Sequence, residues 1–180
     1  MVEPKKKIIA ILGGSFDPVH EGHVKISKIT IKKIKIDKLY WVITKKNPFK
    51  KQTYFSLKKR IEYAKRAVAN LKKIQVLYLD DVVKSSRTID TIKYIIKKRK
   101  PSKIYFIVGY DILAQFHRWK SWKKIVKLTK LIVFSRDGYD KRISNFTVFK
   151  YLNKNKIIFI NNRPIKVSST SIRNKISKIK

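Results

Sequence analysis

The sequence predicts a doubly wound α/β fold: a mostly parallel sheet with helices on both faces, formed by a single domain. The chain has 180 residues, 43% of them hydrophobic, which is enough for one core but too few for two domains of ordinary size. Short apolar runs alternate with amphipathic, lysine-rich segments, the pattern of repeated β-α-β units. No repeat, low-complexity tract or linker divides the chain, so we expect residues 1–180 to form one domain.

The alternating segments give each element in order. Strands are predicted at Lys7–Leu12, Leu39–Ile43, Ile74–Leu79, Lys103–Val108, Leu131–Phe134 and Lys156–Ile160. Helices are predicted at Gly22–Ile34, Ser56–Leu71, Thr88–Lys98, Ser121–Leu128 and Ser169–Ile179. Ser56 and Ser169 are suitable N-cap residues, and Pro101 cannot continue the third helix. Ligands of such sheets bind beyond the carboxyl ends of the strands, so the loops that follow strands are the places to look for function.

Composition excludes several classes of protein. The longest apolar stretches are far shorter than the roughly 20 residues that span a bilayer, so we expect no membrane association. The sequence has no cysteine, which excludes disulfides, thiolate metal sites and a cysteine nucleophile, and which suits the cytoplasm. The sequence leaves oligomeric state open, a homo-oligomer included.

The net charge of +35 attracts polyphosphates of any kind. A basic nucleic-acid-binding domain is therefore one hypothesis for function. However, the 37 lysines are spread over almost every segment, and arginine, the better bidentate reader of bases, contributes only nine residues. We therefore expect no specific nucleic-acid partner and a general preference for anionic ligands.

The loop after the first strand reads Gly-Gly-Ser-Phe-Asp-Pro-Val-His-Glu-Gly-His, over residues 13–23. Its two glycines let the backbone approach a ligand closely, and the helix that follows begins with unpaired N–H groups that attract phosphate. His20 and His23 are three residues apart, so both can reach one anionic group. The alternatives are a metal site, which would lack a third histidine nearby, and a purely structural role as helix caps.

This loop resembles the signature of the nucleotidylyltransferase superfamily, which has a Rossmann-like domain and joins a nucleoside triphosphate to a phosphorylated acceptor with release of pyrophosphate. The segment Gly109–Lys120, with its Gly-x-Asp and downstream Trp119, resembles the bacterial nicotinate-mononucleotide adenylyltransferases. The segment Val167–Arg173 is similar to the same family. Its hydroxyls, helix N-terminus and arginine also suit a second anion site. The resemblance spans about residues 7–176.

Two further loops match this family less closely. Asn47-Pro48-Phe49-Lys50 lies where the family has a proline and a basic residue near the phosphates. Ser86-Arg87-Thr88 lies where a Tyr-Thr pair approaches the pyridine carboxylate, with Arg87 in place of the tyrosine. Trp119, set among basic residues, suits stacking on a heteroaromatic ring, whereas we expect Trp122 to cover the core.

The resemblance implies transfer of the adenylyl group of ATP to nicotinate mononucleotide, giving deamido-NAD (nicotinate adenine dinucleotide) and pyrophosphate in NAD biosynthesis, with Mg²⁺ carried by the ATP phosphates and no metal held by the protein. Alternatives in the same superfamily are a nicotinamide-mononucleotide or phosphopantetheine adenylyltransferase, or a cytidylyltransferase. Catalytic roles are implied for His20, His23, Lys50 and Arg173. ATP contacts are implied for Gly13, Gly14, Ser15, Phe16, His20, His23, Gly109, Asp111, Ser168, Ser169, Thr170 and Arg173. Pyridine-nucleotide contacts are implied for Asp17, Lys50, Arg87, Thr88 and Trp119.

Overall fold

The structure, a computed structural model, describes residues 7–45, 52–135, 146–152, 154–161 and 167–177. The strands are β1 (Ile8–Gly14), β2 (Lys38–Ile43), β3 (Ile74–Tyr78), β4 (Lys103–Gly109), β5 (Lys130–Ser135) and β6 (Ile157–Asn161). The helices are α1 (Glu21–Ile34), α2 (Leu57–Ala67), α3 (Thr88–Arg99), α4 (Tyr110–Gln115), α5 (Trp122–Leu128), α6 (Thr147–Tyr151) and α7 (Ser169–Ser177). Short 3-10 helices occupy Phe116–Arg118 and Lys154–Lys156.

The described strands form one six-stranded sheet in the order β3-β2-β1-β4-β5-β6. All of its neighbouring strands run parallel. The strand order reverses between β1 and β4, the point at which doubly wound sheets bind ligands. The predicted α/β class and six strands are thus confirmed, and the sheet is parallel throughout.

The sheet is buried on both faces. Successive strand residues point to opposite faces, so Phe106 of β4 enters one cluster and Ile107 the other. Buried side chains of α3, α4, α5 and α6 belong to the first cluster, and buried side chains of α2 to the second, against which α1 packs. This double coverage explains why the strands read as nearly continuous apolar runs.

The predicted helices are present, with corrections at their limits. Helix α2 ends at Ala67 rather than at Leu71, because the chain turns there: the Leu71 N–H bonds to Val68 O, and the Ile74 N–H bonds to Leu71 O. Helix α7 begins at Ser169, so its cap position belongs to Ser168 and not to Ser169.

Two helices were missed. Helix α4 lies in the segment 109–119, for which the sequence predicted neither a helix nor a strand, and α6 has five residues. Helices this short are marginal alone and carry no clear periodicity, so they depend on tertiary packing. Each buries one side chain completely, Leu113 in α4 and Val148 in α6. No helix in the described ranges is both long and apolar enough to cross a membrane.

A buried hydrogen-bond relay joins α1 to β2. Trp41 Nε1 donates to Ser27 Oγ at 2.8 Å, and Ser27 Oγ donates to the carbonyl of His23 at 2.7 Å. Both side chains are completely buried. The relay therefore fixes the second turn of α1 against the sheet.

Replacement Ser27→Ala should lower the free energy of unfolding by about 1–3 kcal/mol, because it leaves the buried indole N–H without its acceptor. In a Trp41→Phe background the same replacement should cost clearly less, since no indole N–H remains to be orphaned. Denaturant unfolding of the four proteins gives this comparison. If Ser27→Ala lowers the free energy of unfolding equally in both backgrounds, the indole hydrogen bond contributes nothing to stability.

Candidate active site

The candidate site lies at the carboxyl ends of β1 and β4. The loop of residues 15–20 joins β1 to α1, and α4 follows β4 directly. Helix α1 begins at Glu21 with His20 as its N-cap residue. The predicted loops therefore meet at the edge of the sheet where the strand order reverses.

The two histidines stand side by side. Their ring centroids are 3.9 Å apart with an interplanar angle of 45°. His20 Nδ1 accepts a hydrogen bond from the Gly22 N–H at 3.1 Å, and His23 Nδ1 accepts one from the His20 N–H at 3.3 Å. The proximity expected from their spacing is confirmed, and the alternative role of helix capping is present as well.

These hydrogen bonds determine which nitrogen of each imidazole can carry a proton and donate it. A nitrogen that accepts a hydrogen bond carries no proton, so the hydrogen-bond network assigns both neutral rings to the tautomer protonated at Nε2. Each ring then carries an Nε2–H donor, and both residues belong to the start of α1, at the positive end of its dipole. Two fixed donors at a helix N-terminus can stabilise negative charge on phosphoryl oxygens.

The Phe16 ring packs against the His23 ring. It lies 4.7 Å from that ring and stacks on Trp41 at 5.1 Å and 26°. Phe16 is 2% exposed and has a φ of 47°, a left-handed conformation that costs an L-residue about 1–2 kcal/mol. The structure thus places this ring in the core. The ATP contact implied for Phe16 stays a prediction.

The two glycines have room around them. A Cβ on Gly13 would lie 3.6 Å from Phe106 Cε2, and one on Gly14 would lie 3.6 Å from Phe16 Cε2, both ordinary contacts. Packing of the protein alone therefore does not require glycine at either position. The close approach of a ligand to these glycines, expected from the sequence, stays a prediction. The neighbouring Ser15 is buried.

Helix α7, near the end of the described residues, contacts the loop that follows β1. Ser169 Oγ donates to the carbonyl of Pro18 at 2.9 Å, and Arg173 Nη1 donates to the carbonyl of Asp17 at 2.5 Å. Arg173 Nη2 also donates to Thr170 Oγ1 at 3.0 Å. These two segments, about 150 residues apart in the sequence, are thus in direct contact. Their expected contacts with ATP stay predictions.

Ser168 caps this helix. Its Oγ accepts from the Ser171 N–H at 3.1 Å, while Ser171 Oγ accepts from the Ser168 N–H at 3.0 Å. This reciprocal pair has the geometry of a capping box and holds the first turn of α7. The structure gives the hydroxyl of Ser168 a local role, and its predicted contact with ATP is untested.

Asp17 has a different environment from the one expected of a substrate ligand. It is 1% exposed, and its two carboxylate oxygens accept hydrogen bonds from the N–H groups of Tyr54 and Phe55 at 2.7 and 2.8 Å. Arg173 Nη1 lies 4.0 Å from Oδ2. The structure therefore shows Asp17 joining the first loop to the chain just before α2. The predicted contact with the pyridine nucleotide stays a prediction.

The predicted pyridine side lies after β3, two strands from β1 and thus about 10 Å away. Arg87 precedes α3, and its Nε donates to Asp90 Oδ2 at 2.8 Å. Hydrogen bonds from Ser85 and from Arg87 lower the pKa of Asp90. Thr88 begins the helix. An open cleft of about 430 Å³ adjoins this turn, lined by Lys45, Asp80, Asp81, Lys84, Ser85 and Ser86.

Both tryptophans after β4 pack on the core. Trp119 is half-buried, stacks on Phe116 at 5.0 Å and 29°, and meets Phe106 edge to face. Trp122 also packs against this cluster, as expected. Trp119 is therefore a core contact as well as a candidate stacking residue, a combination that the sequence did not predict.

Gly109 and Asp111 lie at the start of α4. A Cβ on Gly109 would approach Asp111 Oδ1 to 2.5 Å, so the carboxylate folds back over the glycine. Asp111 is exposed, which leaves it accessible for the predicted contact with a ribose diol. Lys50 and the rest of the loop 47–50 lie outside the described residues.

Sequence reasoning missed Arg60 and Asp80. Arg60 is 1% exposed and Asp80 is 7% exposed. Asp80 Oδ2 accepts from Thr44 Oγ1 at 3.1 Å and from the Lys45 N–H at 2.8 Å, so it holds the end of β2. The signal for Arg60 was its position four residues before Ala64 and eight before Val68, on the apolar face of α2.

The comparisons with known proteins agree with this architecture. Residues 11–175 match the family described as cytidylyltransferase-like. A protein of Pelagibacter ubique (strain HTCC1062) named "Probable nicotinate-nucleotide adenylyltransferase" is 42% identical over 169 residues, which cover 94% of this chain and 93% of that protein. A protein of the same name from Aliarcobacter butzleri (strain RM4018) is 34% identical over 169 residues, covering 93% and 87%.

The fold also has solved counterparts. The nicotinic acid mononucleotide adenylyltransferase of Plasmodium falciparum, solved in complex with NaAD, has a TM-score of 0.75 and 23% sequence identity. The match covers 96% of this chain and 89% of that chain. This likeness supports the same arrangement of sheet and helices.

Replacement Asp17→Asn should lower the free energy of unfolding by about 1–3 kcal/mol, because an amide keeps one acceptor oxygen and turns an N–H donor towards a backbone N–H. Denaturant unfolding measures the loss. The control is Asp111→Asn, at an exposed position, for which we expect a change within about 0.5 kcal/mol. An Asp17→Asn protein as stable as this control would contradict the assigned role.

Proposed function

The chain belongs to the cytidylyltransferase-like family, and on that basis we propose that it transfers the adenylyl group of ATP to nicotinate mononucleotide, forming nicotinate adenine dinucleotide and pyrophosphate. The names of relatives that share up to 42% of its sequence support this substrate pair and a place in NAD biosynthesis. The observation that supports the proposal is the contact of Ser169 and Arg173 with the carbonyls of Pro18 and Asp17, because it brings α7 against the loop that carries the two histidines.

The chemistry requires alignment and charge neutralisation. An oxygen of the 5′-phosphate of nicotinate mononucleotide attacks the α-phosphorus of ATP. The bond between the α-phosphorus and the oxygen that bridges it to the β-phosphorus breaks, so that pyrophosphate leaves. No covalent enzyme intermediate is needed. The Nε2–H groups of His20 and His23 suit the charge that builds on the α-phosphate.

Helix α7 suits the departing pyrophosphate. Thr170 is exposed, and the Arg173 guanidinium is held by Thr170 and by the Asp17 carbonyl, so its orientation is fixed before a ligand arrives. A preoriented cation loses less entropy when it binds phosphate oxygens than a mobile one does. We assign Ser169, Thr170 and Arg173 to the outer phosphates, and Lys50 to assist there.

Magnesium enters as part of the substrate. The histidines, the helix N-termini and Arg173 offer N–H donors and a cation, which fit phosphate oxygens. In the part of the chain that the structure describes, no group of three or more His, Cys, Asp or Glu side chains could hold one. Mg²⁺ binds through substrate phosphates and retains waters, so we propose MgATP as the true substrate. The cytoplasmic location and the oligomeric state stay open predictions.

The substrate assignment is tested by offering ATP together with nicotinate mononucleotide, nicotinamide mononucleotide or phosphopantetheine and by following pyrophosphate release. We expect the highest kcat/KM with nicotinate mononucleotide. Preference for either other acceptor would reassign the substrate within the family. Tight binding of duplex DNA at about 0.15 M salt, without adenylyl transfer, would instead support the nucleic-acid hypothesis.

Replacement His23→Ala or His20→Asn should lower kcat by about 100-fold or more, since one preorganised donor contributes roughly 3–4 kcal/mol to transition-state stabilisation. Asparagine at position 20 keeps an N-cap acceptor and removes the imidazole donor, so it separates catalysis from helix capping. Steady-state kinetics measures both variants. His117→Ala, which alters the exposed third histidine, is the control. Near-normal turnover in both site variants would refute the assigned roles.

Replacement Trp119→Ala should raise KM for nicotinate mononucleotide and leave KM for ATP nearly unchanged, because the indole is assigned to the pyridine ring. Trp119→Phe retains an aromatic face and should restore most of the affinity. Because Trp119 also packs on Phe116, thermal unfolding should accompany the kinetics. An equal rise of KM for both substrates would contradict the pyridine assignment.

A further inference from the structure

Arg60 is a charged residue in a position that helices normally reserve for apolar ones. It lies in α2 on the same face as the buried Ala64, and it is 1% exposed. Burial lowers the pKa of its guanidinium, while the carboxylates of Asp17 and Asp80 oppose that shift. Because arginine remains protonated in proteins, a positive charge lies beneath the candidate site.

Four main-chain carbonyls surround this charge. Arg60 Nη1 donates to Ser15 O at 2.7 Å and to Thr44 O at 2.9 Å, Nη2 donates to Lys45 O at 3.2 Å, and Nε donates to Phe55 O at 3.2 Å. These acceptors belong to three segments: the first loop, the chain after β2 and the chain before α2. One side chain therefore links the three segments by their backbones.

The Ser15 contact leads directly to the histidines. The carbonyl of Ser15 belongs to the peptide unit that precedes Phe16, so its hydrogen bond to Arg60 fixes the plane from which Phe16 enters its left-handed conformation. The Phe16 ring then packs 4.7 Å from the ring of His23. The path from the guanidinium to His23 thus consists of one hydrogen bond, one peptide plane and one ring contact.

Asp17 and Arg60 both bond to the backbone of Phe55, which precedes α2. The N–H of Phe55 is bonded to the Asp17 carboxylate of the first loop, and its carbonyl is bonded to the Arg60 guanidinium. A buried charge is a poor source of stability, because its desolvation offsets most of the gain from its contacts. Its main effect here is to fix relative positions.

We propose that Arg60 is a positioning residue for adenylyl transfer, which holds the first loop against the end of β2 so that His23 meets the reacting phosphate in the productive orientation. The inference rests on the proposed function. Arg60 lies behind the loop and acts through Ser15 and Phe16, not by touching substrate. Misplacement of a catalytic donor by about 1 Å can cost roughly 100-fold in rate, so loss of this clamp should be visible in kcat.

The test compares Arg60→Lys and Arg60→Met with the wild type and with Val126→Ala, a core replacement in α5. Kinetics are measured with ATP and nicotinate mononucleotide well below the unfolding temperature of each protein. We expect kcat to fall by about tenfold for Arg60→Lys and by about 100-fold for Arg60→Met, with both KM values changed by less than about threefold. Val126→Ala should be less stable but should keep its kcat.

A second readout needs no substrate. The chain contains three histidines, so its imidazole Cε1–H signals can be assigned by NMR with the variants of His20, His23 and His117 described above. In Arg60→Lys the signals of His20 and His23 should move, because the His23 ring packs against the Phe16 ring and the His20 ring contacts the His23 ring. The His117 signal should stay in place, and Val126→Ala should move none of the three.

A kcat within about threefold of the wild type in the Arg60 variants, or unchanged signals for His20 and His23, would overturn the proposal. Failure of both Arg60 variants to fold would assign Arg60 to folding alone and would overturn it too. A wild type that transfers no adenylyl group would reject the proposed function instead. In that case the imidazole signals would still decide whether Arg60 positions the histidines.

Discussion

The rest of the site depends on how the backbone of the first loop is held. Three of its carbonyls, those of Ser15, Asp17 and Pro18, accept hydrogen bonds from side chains that are distant in sequence: Arg60, Arg173 and Ser169. Carbonyl oxygens are present whatever the side chain, so these three anchoring bonds use only backbone atoms of the loop. The side chains of Phe16 and Asp17 add buried contacts of their own, and the frame so formed sets where the histidines lie.

Carboxylates are scarce in this protein, with 11 acidic residues against 46 lysines and arginines. Two of them, Asp17 and Asp80, are buried at the carboxyl edge of the sheet and accept backbone N–H groups of neighbouring segments. A carboxylate that accepts such bonds can be buried at a tolerable energetic cost, because its charge is shared with several dipoles. These two carboxylates therefore serve to join segments of the backbone at this edge of the sheet.

The sequence predicted what periodicity and local motifs encode. The six strands follow from their apolar runs, and the adjacency of His20 and His23 follows from a spacing of three at a helix start. It did not predict Arg60, whose four acceptors are main-chain atoms and leave no motif. Likewise, the burial of Asp17 depends on the amides of residues 54 and 55, which only the folded chain brings near. Helices α4 and α6 were missed because tertiary packing, not local sequence, forms them.

The caps on α1 have one more effect. Because Nδ1 of each histidine accepts a backbone N–H, neither ring can turn about its Cβ–Cγ bond without losing a hydrogen bond of the helix start. The first turn of α1 and the two imidazoles therefore form one mechanical unit, so a substitution that frays this turn also displaces both rings.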